Sequence, residues 1–308
     1  MISLIAFSIF MLVVLPIASL LNLLLMPTHY LEWLVIASQT TTLFFLNRVV
    51  GRWYWFGYYA RHISMATLIT VVIYSFVQIS PHELIDECSL PLLFANLMAL
   101  CIYIGYFFKV RQSQFPPTPS FQLTFPLRGK RYYVNEAGSN RVTNNHHTNE
   151  AQRFALDFYQ LDGLGRRSIG FYPKDLTKYT IFGKALYSPI VGIIIEAKDG
   201  LRDISPTEFD NPELDKHDRA GNHVVIKTVD DKYIVMGHLK QGTVAVKKGD
   251  LVDTSTFLGE VGSSGRSEEP HLHIHCMDTL EEDYVRDGHG IPISFNGQYL
   301  MRNDLVSY

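Results

Sequence analysis

Charged residues are nearly missing from the first third of this 308-residue chain. Residues 1–110 carry four basic side chains (Arg48, Arg52, Arg61, Lys109) and four acidic ones (Glu32, Glu83, Asp86, Glu87), leaving 23 basic and 26 acidic in residues 111–308. That split argues against one evenly composed soluble domain and places a boundary near residue 110. Cysteine is scarce as well. Cys88, Cys101 and Cys276 have no framework spacing, so neither a disulfide scaffold nor a cysteine-based zinc site is readable. Basic residues are not in excess: the formal net charge is −3, with no basic stripe of the kind that marks a nucleic-acid partner. Internal repeats and low-complexity tracts are absent, and past residue 122 no long helix-period segment occurs.

What fills the first third is apolar. Ile2 to Met26, Leu31 to Leu46, Ile63 to Ile79 and Leu90 to Phe108 are four candidate membrane helices. The second is the least apolar, with Gln39 and a run of threonines. The first is not a secretory signal peptide by pattern, since it has no basic flank and its apolar run exceeds the usual length. The cluster from Trp53 to Tyr59, beside Arg48, Arg52 and Arg61, reads as an interfacial aromatic belt. A lipid bilayer is therefore an expected partner. With four spans, arginines in the second connection and Lys109 with Arg111 after the fourth place everything past residue 110 in the cytoplasm.

Residues 111–121, with Pro116, Pro117 and Pro119, form a short stiff linker. Short β-type runs follow, divided by glycine and acidic turns: Arg131–Asn135, Ile190–Ala197, Asn222–Thr228, Tyr233–Leu239, Thr243–Val246 and Phe257–Val261. The expected architecture is an N-terminal transmembrane helical region of about four helices, then a mostly antiparallel β domain over 122–308. Long loops are expected at Asp199–Ala220 and Asp278–Gly290.

The chemistry gathers around Pro270-His271-Leu272-His273-Ile274-His275. Histidine at every second position follows the period of a strand, where alternate side chains share one face about 6.6 Å apart. His271, His273 and His275 thus face one way, and Leu272, Ile274 and Cys276 pack into a core. A catalytic zinc needs three protein ligands and a fourth position for water, so the strand alone cannot complete the shell. Three other places offer partners: His146-His147, Asp157 in an apolar run, and His238 at the end of a predicted strand. A buried carboxylate such as Asp157 must be paired or bound to a metal, because an isolated buried charge is very costly.

From about Phe125 to Phe295 these motifs together resemble the lysostaphin-type (LytM-like) zinc metallopeptidases, which cleave peptides of bacterial peptidoglycan. The closing His-x-His after a glycine–serine loop and a proline is Gly262-Ser263-Ser264-Gly265 with Pro270-His271-Leu272-His273. The middle motif is Gly237-His238-Leu239, followed by Val246 to Leu251, and Gly221-Asn222 precedes a central strand. The resemblance implies a zinc (Zn2+) held by His147, Asp157 and His273, with His147 taken ahead of His146. His271 and His238 would be the catalytic pair, one acting as general base on the water and both stabilising the oxyanion. Three departures stand out. The common His-x-x-x-Asp is absent, because Arg153 lies four residues before Asp157. Pro189-Ile190-Val191-Gly192 lacks the usual polar residue before its glycine, and His275 stands where glutamate is common. His275 is open between orienting a ligand and being exposed, while His217, His223 and His289 read as surface or structural.

The resemblance implies a membrane-anchored zinc endopeptidase (a hydrolase and metalloprotease) acting on peptidoglycan cross-links or stem peptides of the cell wall. Two alternatives stay open: a catalytically silent regulatory module of a cell-wall hydrolase, and a membrane protease with a non-wall peptide substrate. Wall substrate calls for an extracytoplasmic domain on the cell or inner membrane, against the charge pattern.

Overall fold

The computed structural model describes residues 2–25, 27, 30–79, 90–129, 131–208, 218–279 and 288–307. The chain divides into two units, Met1–Arg111 and Gln112–Tyr308.

All four apolar runs of the first unit are helical. The first comprises Ile2–Ile9, a π-helical turn at Phe10–Val14, and Leu15–Leu25; then come Tyr30–Val50, Ala60–Gln78 and Leu90–Ser113. Among the described residues, Ala6–Leu25, Ala60–Gln78 and Leu90–Ser113 are long and apolar enough to cross a membrane. Tyr30–Val50 does not join them, because Glu32, Gln39, the threonines, Asn47 and Arg48 dilute its apolar character. It instead contributes Val35, Ile36, Ala37, Leu43, Phe44 and Leu46 to the packed interior. Polar side chains join the helices there: the hydroxyls of Ser19 and Thr40 lie 2.8 Å apart, and Trp33 Nε1 donates to Ser75 Oγ at 2.9 Å. Asn47 Nδ2 donates to the carbonyl of Met11 in the π-helical turn at 2.8 Å. Trp53, Tyr54 and Trp55 form a buried 3-10 turn, with Trp53 Nε1 donating to Asn47 O at 2.7 Å. Packing within the unit therefore holds these three rings, while Phe56 and Tyr59 remain exposed.

The second unit is built on an antiparallel sheet. Its strands lie side by side in the order Leu305–Val306, Tyr132–Glu136, Leu156–Gln160, Leu272–Met277, Tyr233–Leu239, Asn222–Thr228, Gly192–Lys198 and Leu251–Val252. The histidine strand Leu272–Met277 is central, between Leu156–Gln160 and Tyr233–Leu239. Alternation acts here as the sequence predicts. Leu272, Ile274 and Cys276 are fully buried in the main core with Leu156, Phe158, Val224, Ile226, Ile234 and Met236. Each such side chain withdrawn from water contributes about 1.5–3 kcal/mol. Phe125, Phe158 and Phe295 meet edge to face under the strand, with centroids 5.1–5.6 Å apart.

One expected strand is not formed. Thr243–Val246 belongs to no ladder: Val244 N donates to the Asp199 carboxylate, while Ala245 N donates to the strand carbonyl of Leu258. In the expected linker, the Leu90–Ser113 helix runs two residues past Arg111, and Phe121 already pairs in parallel with Ile293.

Candidate active site

His273 and Asp157 are register partners on neighbouring antiparallel strands, and Gly237 pairs with His273 from the other side. One residue further, strand alternation would turn His238 to the opposite face, yet its ring lies beside those of His271 and His273. It does so through a bend: His238 has φ 63°, and its N–H donates to Ala220 O at 2.8 Å. The chain comes close at this bend, since a Cβ on Gly237 would lie 2.9 Å from Ala220 O. A Cβ on Gly221 would lie 2.3 Å from Ser264 O, so only glycine lets the 221 and 264 backbones meet. That contact sets the Ser264 carbonyl to accept from His238 Nδ1–H at 2.8 Å.

His271 is held in the same manner, its Nδ1–H donating to the carbonyl of Glu269 at 2.7 Å. In both rings Nδ1 is occupied by a carbonyl, which leaves Nε2 as the bare, basic nitrogen. The two imidazoles lie side by side with centroids 4.7 Å apart, and His271 Nε2 is 3.7 Å from Asp157 Oδ1. Burial first, and then the neighbouring His271 and His273, push the His238 imidazole well below its ordinary pKa and keep it neutral.

Asp157 receives His273 Nδ1 on Oδ1 at 2.9 Å and His146 Nε2 on Oδ2 at 2.8 Å. Burial opposes ionisation of Asp157, but the charges of His146 and His271 and the hydrogen bonds from His146 and His273 outweigh it. The carboxyl is held well below the usual range. Burial lowers His273, against the pull of Asp157. His146 goes the other way: burial alone would lower it, but Asp157 raises it above its ordinary value.

Structure and expectation part at the first histidine. His146, not His147, faces Asp157. Both sit on the 3-10 turn Asn145–Thr148, but His147 turns away, with Nδ1 donating to Arg153 O at 3.2 Å and its ring against Phe154. The cap decides which ring turns inward. The buried Asn144 side chain accepts from His146 N at 3.1 Å while donating to Ala155 O and Gly138 O at 3.0 and 3.1 Å. Glu136 accepts from Asn145 N at 2.8 Å and is itself paired with the buried Arg302 at 2.6 Å. Sequence spacing gave no weight to Asn144, Glu136 or Arg302, which lie scattered along the chain. Asn144, two residues before His146 and of a helix-capping type, was the one local signal.

The other histidines divide clearly. His275 is buried, with Nδ1 3.0 Å from His273 Nε2, so it orients that ring and is not a surface residue. His223 is also buried, donating from Nδ1 to Gly221 O at 2.7 Å. His289 is exposed beside Asp278, and His217 lies outside the described residues.

Two overlapping groups of donors result: His146, Asp157 and His273, and His238, His271 and His273, each with its donor atoms within 4.8 Å of one another. The first combines two imidazoles and an ionised carboxylate, with Asp157 and His273 buried and His146 half-buried, a donor set that fits zinc.

Residues 183–286 match peptidase family M23. That segment, about a third of the chain, is similar to the M23 peptidases. The match spans His238, His271 and His273 and stops short of His146 and Asp157. No curated protein matches the chain. Solved structures similar to it include the catalytic domain of the prophage-encoded M23 protein EnpA from Enterococcus faecalis, 19% identical over 46% of this chain and 78% of that one, with TM-score 0.29. Another is the catalytic domain of lysostaphin from Staphylococcus simulans, 22% identical over 39% and 84%, TM-score 0.23. A third is the M23 metalloprotease pseudoalterin, 14% identical over 62% of this chain and 100% of that one, TM-score 0.32. At these values no residue role passes from those structures to this one.

Proposed function

We propose that the chain is a membrane-anchored, zinc-dependent endopeptidase that hydrolyses peptide bonds of peptidoglycan cross-links or stem peptides. The match of residues 183–286 to peptidase family M23 supports a peptidase activity. The convergence of His146, Asp157 and His273 on one point, with His238 and His271 beside it, carries the rest. His146 Nε2, an Asp157 oxygen and His273 Nδ1 would hold the metal. Zinc in such a site lowers the pKa of its water and polarises the carbonyl under attack. His271 presents bare Nε2 on the same face and takes the proton of the attacking water. His238, kept neutral by burial, adds a second acceptor at the reacting centre, and either ring, once protonated, can donate to the oxyanion and then to the departing amine. Ionised Asp157 offsets the positive charge that gathers there. The full ligand and acid–base set argues against a silent regulatory module.

Three apolar helices support membrane anchoring. An odd number of crossings puts the residues before Ala6 and those after Ser113 on opposite faces, so one orientation exposes the catalytic unit to the wall. Arg48, Arg52 and Arg61 favour the opposite orientation, and with it a second reading, a cytoplasmic-facing protease with a non-wall peptide substrate. Incubating the zinc-loaded full chain with purified muropeptides, followed by mass spectrometry, tests the first reading. It expects new amine termini with wild type and none with His271→Ala. Intact muropeptides alongside a cleaved generic peptide would support the second.

A further inference from the structure

We propose that Arg167 and Glu269 are positioning residues for His271. The proposal rests on His271 acting as an acid–base group in the peptidase reading. Arg167 lies in the loop between the strands Leu156–Gln160 and Ala185–Tyr187, 102 positions from Glu269 in sequence. Its Nε donates to Glu269 Oε1 at 2.7 Å, and the two side chains are only 3% and 2% exposed. Nη2 of the same guanidinium donates to Phe171 O at 3.0 Å, tying its loop to the pair.

A buried ion pair is a poor source of stability, because apolar side chains of similar volume usually serve as well. What distinguishes this pair is its place. The backbone carbonyl of Glu269 is the acceptor that holds His271 Nδ1–H at 2.7 Å, and Ser267 Oγ donates to that same oxygen at 2.8 Å. Pro270 follows directly and restricts Glu269 to extended backbone. On the other side, the Tyr172 hydroxyl lies 3.3 Å from Glu268 O and 3.0 Å from Pro206 O. The residue that supplies the His271 acceptor is thus pinned by its side chain, by the proline after it and by the carbonyl before it. Arg167 fixes Glu269, Glu269 O fixes the tautomer and tilt of His271, and Nε2 is left bare and aimed at the site.

The test compares zinc-loaded full-length wild type, Arg167→Met, Glu269→Gln, Arg167→Lys and the double variant Arg167→Met/Glu269→Met in detergent. It reads kcat and KM on muropeptides, zinc content, and the ¹⁵N imidazole spectrum of His271. The expected result is a kcat roughly 10- to 100-fold lower in Arg167→Met and Glu269→Gln, with KM and zinc content unchanged and a His271 spectrum that departs from the single Nδ1–H tautomer of wild type. Arg167→Lys restores kcat towards wild type. If a single variant fails to fold, the double variant, which leaves no unpaired buried charge, carries the test, and its kcat stays low. A wild-type kcat in the folded double variant, zinc loss in step with activity, or an unchanged His271 tautomer would overturn the proposal. Wild type that cleaves no peptide would sink the peptidase reading instead, and the tautomer spectrum would still decide this one.

Discussion

His273 and Asp157 face each other across two antiparallel strands, with Nδ1 of the imidazole 2.9 Å from Oδ1 of the carboxylate. That pairing places one acid and one base of the site by backbone register alone. The other groups arrive by less regular routes, each held by its own hydrogen bonds.

His275 meets the far nitrogen of His273 at 3.0 Å. Its replacement by alanine frees the His273 ring to rotate without removing a donor. Zinc affinity should fall about 10- to 100-fold while the stoichiometry stays at one. Competition titration with a chelating dye measures this, and unchanged affinity would show that the contact orients nothing.

The His146 turn is fastened by the buried Glu136–Arg302 pair, whose side chains are 4% and 5% exposed. Glu136→Gln removes the carboxylate charge that faces the buried Arg302 guanidinium. It should lower stability by about 3–5 kcal/mol, readable by chemical denaturation of the full chain. A loss below about 1 kcal/mol would mean that the pair is not the fastening.

Binding of zinc must displace a proton from His146, whose pKa is raised by Asp157. Asp157 is already ionised and adds no proton to the exchange. Affinity should therefore climb with pH through the range above 6.5 and fall by about tenfold per unit below the raised pKa. Isothermal titration in buffers of different ionisation enthalpy counts the proton released. A flat profile between pH 6 and 8 would contradict the placement of His146 at the metal.

A dual reporter fused after Ser113 decides the side of the membrane. The wall-directed reading expects activity of the reporter that works outside the cytoplasm. Activity only of the cytoplasmic one would remove direct action on peptidoglycan and leave the non-wall peptidase.

Much of this was legible in the chain. The two-residue period of the histidines gave the strand, its core face and the shared direction of His271 and His273, because a β-pleat leaves side chains no other choice. Hydropathy located the four helical runs, three of which are long and apolar enough to cross a membrane among the described residues. Leu31 to Leu46 is apolar by run yet broken by residues that pack inside the helical unit. The choice between His146 and His147 was not legible. Adjacent residues of a short turn differ by a rotation that the Asn144 cap sets, and that cap draws on Gly138 and Ala155, which a linear reading does not bring together. Arg167 was equally hidden, since its partner lies 102 positions away.

Zinc stoichiometry in His146→Ala and His147→Ala, measured side by side on the full chain after dialysis, tests the account at its centre. One zinc per chain in His147→Ala and wild type, and none retained in His146→Ala, is the predicted result. Zinc retained by His146→Ala and lost from His147→Ala would contradict it.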